Sequence, residues 1–300
     1  MSRAAMLIDL LVANPDATYG LSELSHALGF NKATCLSIVT ALCDHGYVLK
    51  DGKTARYTLG PSLAAAGEAT LRRFSGLERS REVVRDLAAE LDVGCLVMAA
   101  ASTELVTLYH AGSFGLYESV LRTGLRSPFA APFGAPLVAW SPPTVFEAWV
   151  DRSGPRTPAQ WSTCREMIAA IRARGYSAAL DHPALLDYRP IIRRSLSSPG
   201  EADPAAAAAE LLQRLDPADY ALNVIDPDAS YQISTIGSPV LDREGRAVFA
   251  IVAGGFRWSL RGSDVFAIGA AVLRAADMVT VSIGGRLPHT RTDLANPRAG

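Results

Sequence analysis

The sequence predicts an α+β chain in which an N-terminal winged helix-turn-helix is joined by a linker helix to a larger domain with a central antiparallel sheet. Three observations predict this fold class. The 300 residues exceed what one hydrophobic core usually holds. Short amphipathic helices followed by a hairpin pattern occupy residues 1–60, and β-like runs combine with apolar helices after residue 92. We expect the winged helix-turn-helix at 1–60, the linker helix at 61–76, the larger domain at 77–288 and a C-terminal tail at 289–300.

The composition is that of a soluble globular protein. Hydrophobic residues make up 49% and charged residues 20%, and the formal net charge is −1. Disorder is therefore excluded, and any nucleic-acid surface has to be a local patch.

The four cysteines at 35, 43, 95 and 164 form no C-x-x-C pair, so we expect no disulfide, metal site or cofactor. The longest uncharged run, 127–146, contains five prolines, which excludes a membrane helix. We expect a cytoplasmic protein with no membrane partner.

Three amphipathic helices are predicted in the first part of the chain. Apolar residues recur at helical spacing within 6–11 and 21–28, and Gly29 suits the left-handed end of the second helix. Asn31 is a good N-cap for a third helix that ends near Gly46. The apolar stripe of this third helix consists of Cys35, Ile38, Val39 and Leu42. Two short helices around a tight Gly-Phe turn predict a helix-turn-helix.

A hairpin with basic residues is predicted directly after the third helix. Residues 47–49 and 56–59 are strand-like, and the Asp-Gly pair between them favours a reversing turn. All lysines of the chain, which are Lys32, Lys50 and Lys53, lie in this N-terminal region. Such a hairpin can lie along DNA phosphates while the helix enters the major groove. The alternative is an ordinary surface hairpin.

The patterns after residue 60 predict helices around a sheet. Helices are expected at 61–74, 77–91, 158–174 and 264–283, and strands at 93–101, 105–111, 117–122 and 247–253. The segment 181–231 contains many prolines and an alanine run. We expect it to be irregular except for a helix near 204–215, which is either a lid or a packing element.

Several short motifs occur in a particular order along the chain. The N-terminal ones are Leu21-Ser22-Glu23-Leu24, Gly29-Phe30-Asn31-Lys32-Ala33-Thr34 and Gly46-Tyr47-Val48. The later ones include Arg126-Ser127-Pro128, Gly134-Ala135-Pro136-Leu137 and Gly237-Ser238-Pro239-Val240. Through these motifs and their order, the chain resembles the IclR-type bacterial transcriptional regulators over most of its length. The resemblance implies a DNA-binding winged helix-turn-helix and a GAF-like effector-binding domain, in a homodimer or homotetramer that binds double-stranded operator DNA with inverted repeats.

The resemblance also implies which residues contact DNA. The recognition helix spans 31–45, presents the positions off its apolar stripe to the major groove, and is followed by the wing. The implied DNA-binding residues are Asn31, Lys32, Ala33, Thr34, Leu36, Ser37, Thr40, Lys50, Lys53 and Arg56. Larger polar or basic side chains are common in the family where this chain has Leu36 and Ser37. Base recognition is therefore expected to depend on thymine methyl groups and hydroxyl hydrogen bonds.

A small-molecule effector is implied for the larger domain, in a pocket between the sheet and the loop after residue 128. The implied effector-binding residues are Ser119, Phe133, Gly134, Ile233, Thr235, Val252 and Gly254, each of which could equally be a core residue. Family members that bind small carboxylates have hydroxyl groups near positions 252 and 254. Because this chain has none there, we expect an apolar or aromatic effector. Repression and activation stay equally open.

Catalytic motifs are missing from the sequence. There is no G-x-S-x-G elbow, Walker loop or H-E-x-x-H pair, and the five histidines are scattered. We therefore expect no enzymatic activity. The alternative is a small-molecule enzyme with an appended helix-turn-helix, for which Cys95, His110 and the Asp181-His182 pair are the conceivable nucleophilic set.

Overall fold

Two compact units make up the chain. The computed structural model describes residues 2–73, 76–115, 118, 121–197 and 204–288. One unit comes from the described residues of Met1–Ser75 and Arg189–Ala206, and the other from the described residues of Gly76–Tyr188 and Ala207–Gly300. The domain boundaries inferred from the sequence stay a prediction.

The N-terminal unit contains the winged helix-turn-helix. Its elements are α1 (Ser2–Ala13), α2 (Leu21–Ala27), α3 (Lys32–Asp44), β1 (Val48–Lys50), β2 (Tyr57–Leu59) and α4 (Pro61–Arg73). Strands β1 and β2 pair antiparallel, with Leu49 opposite Thr58. The buried core consists of Leu7, Leu11, Leu24, Cys35, Val39, Val48 and Tyr57. The apolar stripes of the three helices therefore meet under the hairpin, as their spacing predicts.

The turn between α2 and α3 is closed by local hydrogen bonds. Gly29 adopts φ +65°, a left-handed conformation that suits glycine. The Phe30 amide donates to the Ser25 carbonyl at 3.0 Å, and the Ser25 hydroxyl donates to the Phe30 carbonyl at 2.6 Å. The Asn31 side chain accepts a hydrogen bond from the Thr34 amide at 2.8 Å. The predicted cap therefore sets the start of α3.

The larger unit contains a six-stranded antiparallel sheet, as the fold class predicts. Its strands are β3 (Gly94–Ala101), β4 (Glu104–Ala111), β5 (Arg126–Pro128), β6 (Ser177–Leu180), β8 (Ile233–Leu241) and β9 (Ala247–Gly254). Their order is β5-β4-β3-β9-β8-β6. Two short strands, β7 (Ser230–Tyr231) and β10 (Leu260–Arg261), pair separately.

The helices after α4 are α5 (Gly76–Leu91), α6 (Ala135–Val138), α7 (Pro143–Asp151), α8 (Pro158–Arg174), α9 (Pro183–Ser197), α10 (Pro204–Arg214), α11 (Pro217–Tyr220) and α12 (Gly262–Ser282). The larger unit includes α9 up to Tyr188 and α10 from Ala207. Helices α5 and α12 pack together and against β3, β8 and β9. Ala250 and Val252 belong to a buried cluster with α6, α7 and α8, whereas Phe249 lies near Gly76 of α5. Because side chains alternate along a strand, these neighbouring residues face opposite layers.

Helix α12 is long and apolar enough to cross a membrane. Its Val265, Val272 and Val279 are nevertheless fully buried, and the helix packs against α5 and the sheet. This is the arrangement of a core helix in a folded unit.

The strand expected at 117–122 is wrong where the structure describes it. The Glu118 carboxylate accepts a hydrogen bond from the Phe114 amide at 2.7 Å, and the Glu118 amide donates to the Gly115 carbonyl at 3.2 Å. These bonds close a turn at Glu118 in place of a strand. Residues 121 and 122 have no regular structure, and residues 117, 119 and 120 lie outside the described part of the chain.

The segment 181–231 is more helical than its prolines suggest. The expected helix is present as α10, but α9 and α11 surround it where irregular chain is expected. Pro183 and Pro217 each occupy a first helical position, where a missing amide N–H is not needed. His182 Nδ1 also accepts a hydrogen bond from the Ala184 amide at 3.1 Å. These helices therefore begin at prolines, and Pro190 lies within α9 without ending it.

Candidate DNA-binding and ligand-binding sites

One side of α3 is exposed and carries the residues expected to contact DNA. Cys35 and Val39 are fully buried, while the opposite side presents Lys32, Ala33, Leu36, Ser37 and Thr40 to solvent. We call these five residues the recognition face. Leu36 is 45% exposed. The recognition face therefore combines one cation, two hydroxyl groups and a large apolar side chain.

Asn31 and Thr34 lie at the start of α3 and hold its first turn. The Asn31 carboxamide is engaged by the Thr34 amide, so the contribution of Asn31 to this end of the helix is a cap. Unpaired amide groups at a helix N-terminus attract phosphate. Both residues lie beside the recognition face.

The tip of the hairpin is built around Asp51. Its carboxylate accepts hydrogen bonds from the Lys53 amide at 2.9 Å and the Thr54 amide at 2.6 Å. These bonds, those from Thr54 first, lower the pKa of Asp51. The Lys50 ammonium lies 5.7 Å from the centre of the Tyr57 ring. Lys53 is exposed at the tip, so the wing presents its positive charge to solvent there.

Arg56 is engaged inside the unit. Its guanidinium donates to Glu23 at 2.7 Å, to the Thr18 carbonyl at 2.5 Å and to the Thr18 hydroxyl at 2.8 Å. A hydrogen bond from the Gly20 amide and the pair with Arg56 lower the pKa of Glu23. Arg56 therefore ties the base of the hairpin to α2, and Glu23 offsets its charge. The sequence could not show this pairing, because 33 residues separate the partners.

The larger unit contains a cavity of about 260 Å³ between the sheet and the chain that covers it. Its sheet side includes Leu96, Met98, Leu105, Ser127, Ser177, Ser234, Thr235, Gly237, Ala250, Val252 and Gly254. Its other side includes Phe114, Leu121, Pro132, Phe133, Gly134, Met167, Leu185, Tyr188, Leu211 and Tyr220. The lining is therefore mainly apolar, with scattered hydroxyl groups.

Five of the seven expected effector-binding residues line this cavity: Phe133, Gly134, Thr235, Val252 and Gly254. Ser119 lies outside the described residues. Ile233 is buried at 4% exposure but is not part of the lining, where its neighbour Ser234 lies instead. The pairing of β6 with β8 shifts register here: Ala179 pairs with Thr235 and Leu180 with Ile233. This irregularity interrupts the alternation of side chains along β8, so Ile233 does not line the cavity together with Thr235.

Five lining residues of the cavity come from the segment 181–231 and were not part of the prediction: Leu185, Tyr188, Leu211, Tyr220 and Ala221. Tyr188, Leu211 and Tyr220 lie on α9, α10 and α11 and line its outer side. Tyr220 is 8% exposed and meets Phe133 edge to face, with 5.4 Å between the ring centres. Burial raises the pKa of Tyr220 to about 12, and the Thr235 side chain opposes this with a smaller lowering effect. Burial also raises the pKa of Tyr188 to about 12, so both phenols are neutral at pH 7.

Fixed contacts hold the wall that contains Phe133 and Gly134. The Trp149 indole donates to the Phe133 carbonyl at 2.7 Å, and Trp149 itself is fully buried. Gly134 adopts φ +74°, and an added Cβ would lie 2.9 Å from the Phe129 ring. Gly134 therefore contributes backbone to the cavity at a position that excludes side chains.

Arg156 joins this wall to α10. Its guanidinium donates to the Leu212 carbonyl at 2.8 Å, the Leu215 carbonyl at 3.2 Å and the Ser153 hydroxyl at 3.1 Å. Carbonyls at a helix C-terminus lack partners within the helix, and a cation there is favourable. Arg156 therefore holds the end of α10 beside the cavity.

No nucleophilic set is assembled from Cys95 and His110. Leu96 pairs with His110 across β3 and β4, and Cys95 pairs with Ala111. Cross-strand partners share a face of the sheet and adjacent residues alternate, so Cys95 and His110 face opposite sides. Burial also raises the pKa of Cys95 to about 12, which keeps its thiol protonated and unreactive.

Comparison with known proteins identifies regulators. No protein-family model matches the chain. The glycerol operon regulatory protein of Streptomyces coelicolor is 27% identical over 185 residues, which is 60% of this chain and 72% of that protein. An IclR transcriptional regulator from Alicyclobacillus acidocaldarius superposes with a TM-score of 0.62 at 18% identity, covering 94% of this chain and 98% of that chain.

A third protein of this fold was solved with a ligand. It is an IclR homolog from Microbacterium hydrocarbonoxydans complexed with 4-hydroxybenzoate; its TM-score is 0.55 at 15% identity, over 93% of this chain and 99% of that chain. These relatives are named as regulators and not as enzymes, which supports the expectation that this chain is not an enzyme. The resemblance indicated by the motifs is confirmed: over nearly its whole length the chain has the fold of the IclR-type transcriptional regulators.

Proposed function

We propose that the protein is a cytoplasmic transcriptional regulator that binds inverted-repeat operator DNA and changes its affinity when a small, apolar or aromatic metabolite binds the larger unit. The observation that carries this proposal is the recognition face of α3, which is exposed directly before a basic hairpin. A helix of this kind reads base edges while neighbouring cations contact phosphates.

On the DNA side, the proposal assigns different tasks to different residues. Lys32, Lys50 and Lys53 contact phosphates and make binding dependent on salt. Leu36, Ser37 and Thr40, with Ala33, contact base edges. Asn31 and Thr34 place the end of α3 at the backbone, and Arg56 positions the wing through its bonds to Glu23 and Thr18.

On the ligand side, the cavity of the larger unit is the proposed effector site. Its mainly apolar lining suits an apolar or aromatic ligand. A structural relative of this fold binds 4-hydroxybenzoate, which supports an aromatic frame. The effector acts only if it prefers one arrangement of the regulator, because equal binding to both leaves DNA affinity unchanged.

A homodimer or a homotetramer is the proposed functional form. Each inverted repeat then offers one half-site to each of two recognition faces, separated by about one turn of DNA. Two half-sites multiply specificity, since each contributes its own base contacts.

Selection of bound duplexes from a random DNA pool tests the proposal. The full chain is expected to enrich an inverted repeat. The variant Leu36→Asp places a carboxylate on the recognition face and is expected to enrich none. Met6→Asp is the matched control, because Met6 and Leu36 are both 45% exposed; it should recover the parent repeat. Failure of the parent chain to enrich any sequence would contradict the proposed function.

A further inference from the structure

The described lining of the cavity has no charged side chain for a ligand to pair with. None of its described lining residues is Asp, Glu, Lys, Arg or His. Three described guanidinium groups near the lining are already bound elsewhere. Arg126 pairs with Glu104 at 2.9 Å, Arg156 donates to backbone carbonyls of 212 and 215, and Arg257 donates to the Ser113 hydroxyl at 3.1 Å.

A bound carboxylate would therefore lose its hydration without gaining a counter-ion. Such a transfer is strongly unfavourable, and an acid in this situation binds in its protonated form. A neutral ester or amide of the same shape pays no such penalty. The lining is thus expected to bind the neutral ligand more tightly than the carboxylate, although the two ligands have nearly the same size.

One polar position inside the cavity is well defined. Tyr220 is more than nine-tenths buried and lines the cavity together with Thr235. Each of the two hydroxyl groups carries one donor hydrogen and two acceptor lone pairs. The pair can therefore donate to and accept from a single oxygen of a ligand.

We propose that the cavity binds an uncharged ligand, that the Tyr220–Thr235 pair recognises one hydroxyl or carbonyl oxygen of it, and that the carboxylate form of the same molecule is rejected. This inference rests on the proposed effector site and adds its charge selectivity. A cavity of about 150 Å³ holds benzene, so the 260 Å³ here suits one aromatic ring with a short polar substituent.

Calorimetric titration of the full chain without DNA tests the inference with matched pairs. The probes are methyl 4-hydroxybenzoate against 4-hydroxybenzoate, and methyl hexanoate against hexanoate, at pH 7. We expect at least one ester to bind below about 1 mM, at least tenfold more tightly than its acid. An acid that binds as well as its ester overturns the inference, and so does the failure of both esters to bind in this range.

The pH dependence of binding provides a second readout. Carboxylic acids of this kind ionise near pH 4.5. The affinity for 4-hydroxybenzoate is therefore expected to fall about tenfold for each pH unit between pH 5 and 7, while the affinity for its methyl ester stays constant. The ester also shows that the protein remains intact across this range. Equal affinity for the acid at both ends would overturn charge exclusion.

Tyr220→Phe tests the recognised oxygen, because it keeps the ring against Phe133 and removes the hydroxyl. Binding of methyl 4-hydroxybenzoate is expected to weaken about five- to tenfold, and binding of propylbenzene to stay within twofold. Tyr176→Phe is the matched control, since Tyr176 is buried at 4% exposure outside the cavity lining; it should leave both affinities unchanged. Thr235→Val serves if Tyr220→Phe does not fold. Equal losses for both ligands would overturn the assignment of this pair.

The failure of this inference and the failure of the proposed function are distinguishable. The titrations contain no DNA, so charge selectivity is measured whether or not an operator is found. A chain that enriches an operator but prefers acids retains the proposed function and loses the inference. A chain that prefers esters but enriches no DNA gives the opposite result.

Discussion

Leu36 is the residue whose exposure is hardest to explain by folding alone. It lies midway along α3, is 45% exposed, and has polar or small neighbours on the recognition face. In the major groove the C5-methyl group of thymine is the apolar feature that such a side chain meets. Its exposure is therefore consistent with a thymine contact in the operator.

A double-mutant cycle that changes Leu36 in the protein and the contacted thymine in the DNA tests this contact. Leu36→Ala is expected to weaken operator binding about tenfold, because apolar area is left exposed. Replacing the contacted thymine by uracil removes one methyl and should weaken binding by the parent about fourfold. Fluorescence anisotropy should show that Leu36→Ala binds the thymine and uracil operators with equal affinity. Met6→Ala should lose the same affinity on the uracil operator as the parent does. Additive effects of the protein and DNA changes would show that the two groups do not touch.

Lys53 and Arg56 belong to the same hairpin but differ in their surroundings. Lys53 is exposed at the tip, whereas Arg56 is held by Glu23 and Thr18. Lys53→Ala is expected to weaken binding to all DNA sequences and to reduce the slope of log affinity against log salt by about one. Thermal unfolding of this variant should match the parent. An unchanged salt slope would remove Lys53 from the phosphate contacts.

At the scale of elements, α10 is the part of the cavity wall that depends most on one side chain. Arg156 lies half-buried, and burial lowers the pKa of its guanidinium. It donates to two carbonyls near the end of α10. Hydrogen bonds from a charged donor to buried carbonyls contribute more than exposed ion pairs do.

Arg156→Met is therefore expected to destabilise the larger unit by about 2–3 kcal/mol. Hydrogen exchange should show the loss of protection concentrated in the amides of 207–221. The control is Arg214→Met, which removes an exposed pair with Asp187 at 2.6 Å and should change stability by less than about 1 kcal/mol. Equal effects of the two substitutions would contradict the role given to Arg156.

The elements differ in how far the sequence predicts them, for physical reasons. Helix α3 follows from local information, because Asn31 caps it and its apolar stripe has helical spacing. Helix α9 was missed because Pro183 and Pro190 argue against a helix unless the positions they occupy are known. Phe133 and Thr235 were placed in the cavity through the resemblance, whereas Tyr220 was not. The position of Tyr220 depends on packing against strands that are distant in sequence, and no local sequence pattern predicts that contact.

At the scale of the whole molecule, regulation requires coupling between operator and ligand. If a ligand changes operator affinity by some factor, the operator must change ligand affinity by the same factor. The bound ester from the matched pairs is expected to shift operator affinity at least fivefold, and calorimetry with operator present should show the same ratio for the ester. A ligand that binds equally well with and without operator would contradict ligand control by the cavity.

The central claim is that α3 and the hairpin recognise DNA sequence in two half-sites, and one binding measurement tests it most directly. The full chain is titrated against the selected inverted repeat, against the same duplex with one half-site scrambled, and against a fully scrambled duplex, at several salt concentrations. The account predicts at least a thousandfold preference for the intact repeat over the scrambled duplex, most of which is lost with one half-site. Equal binding to all three duplexes, or no binding even at low salt, would contradict it.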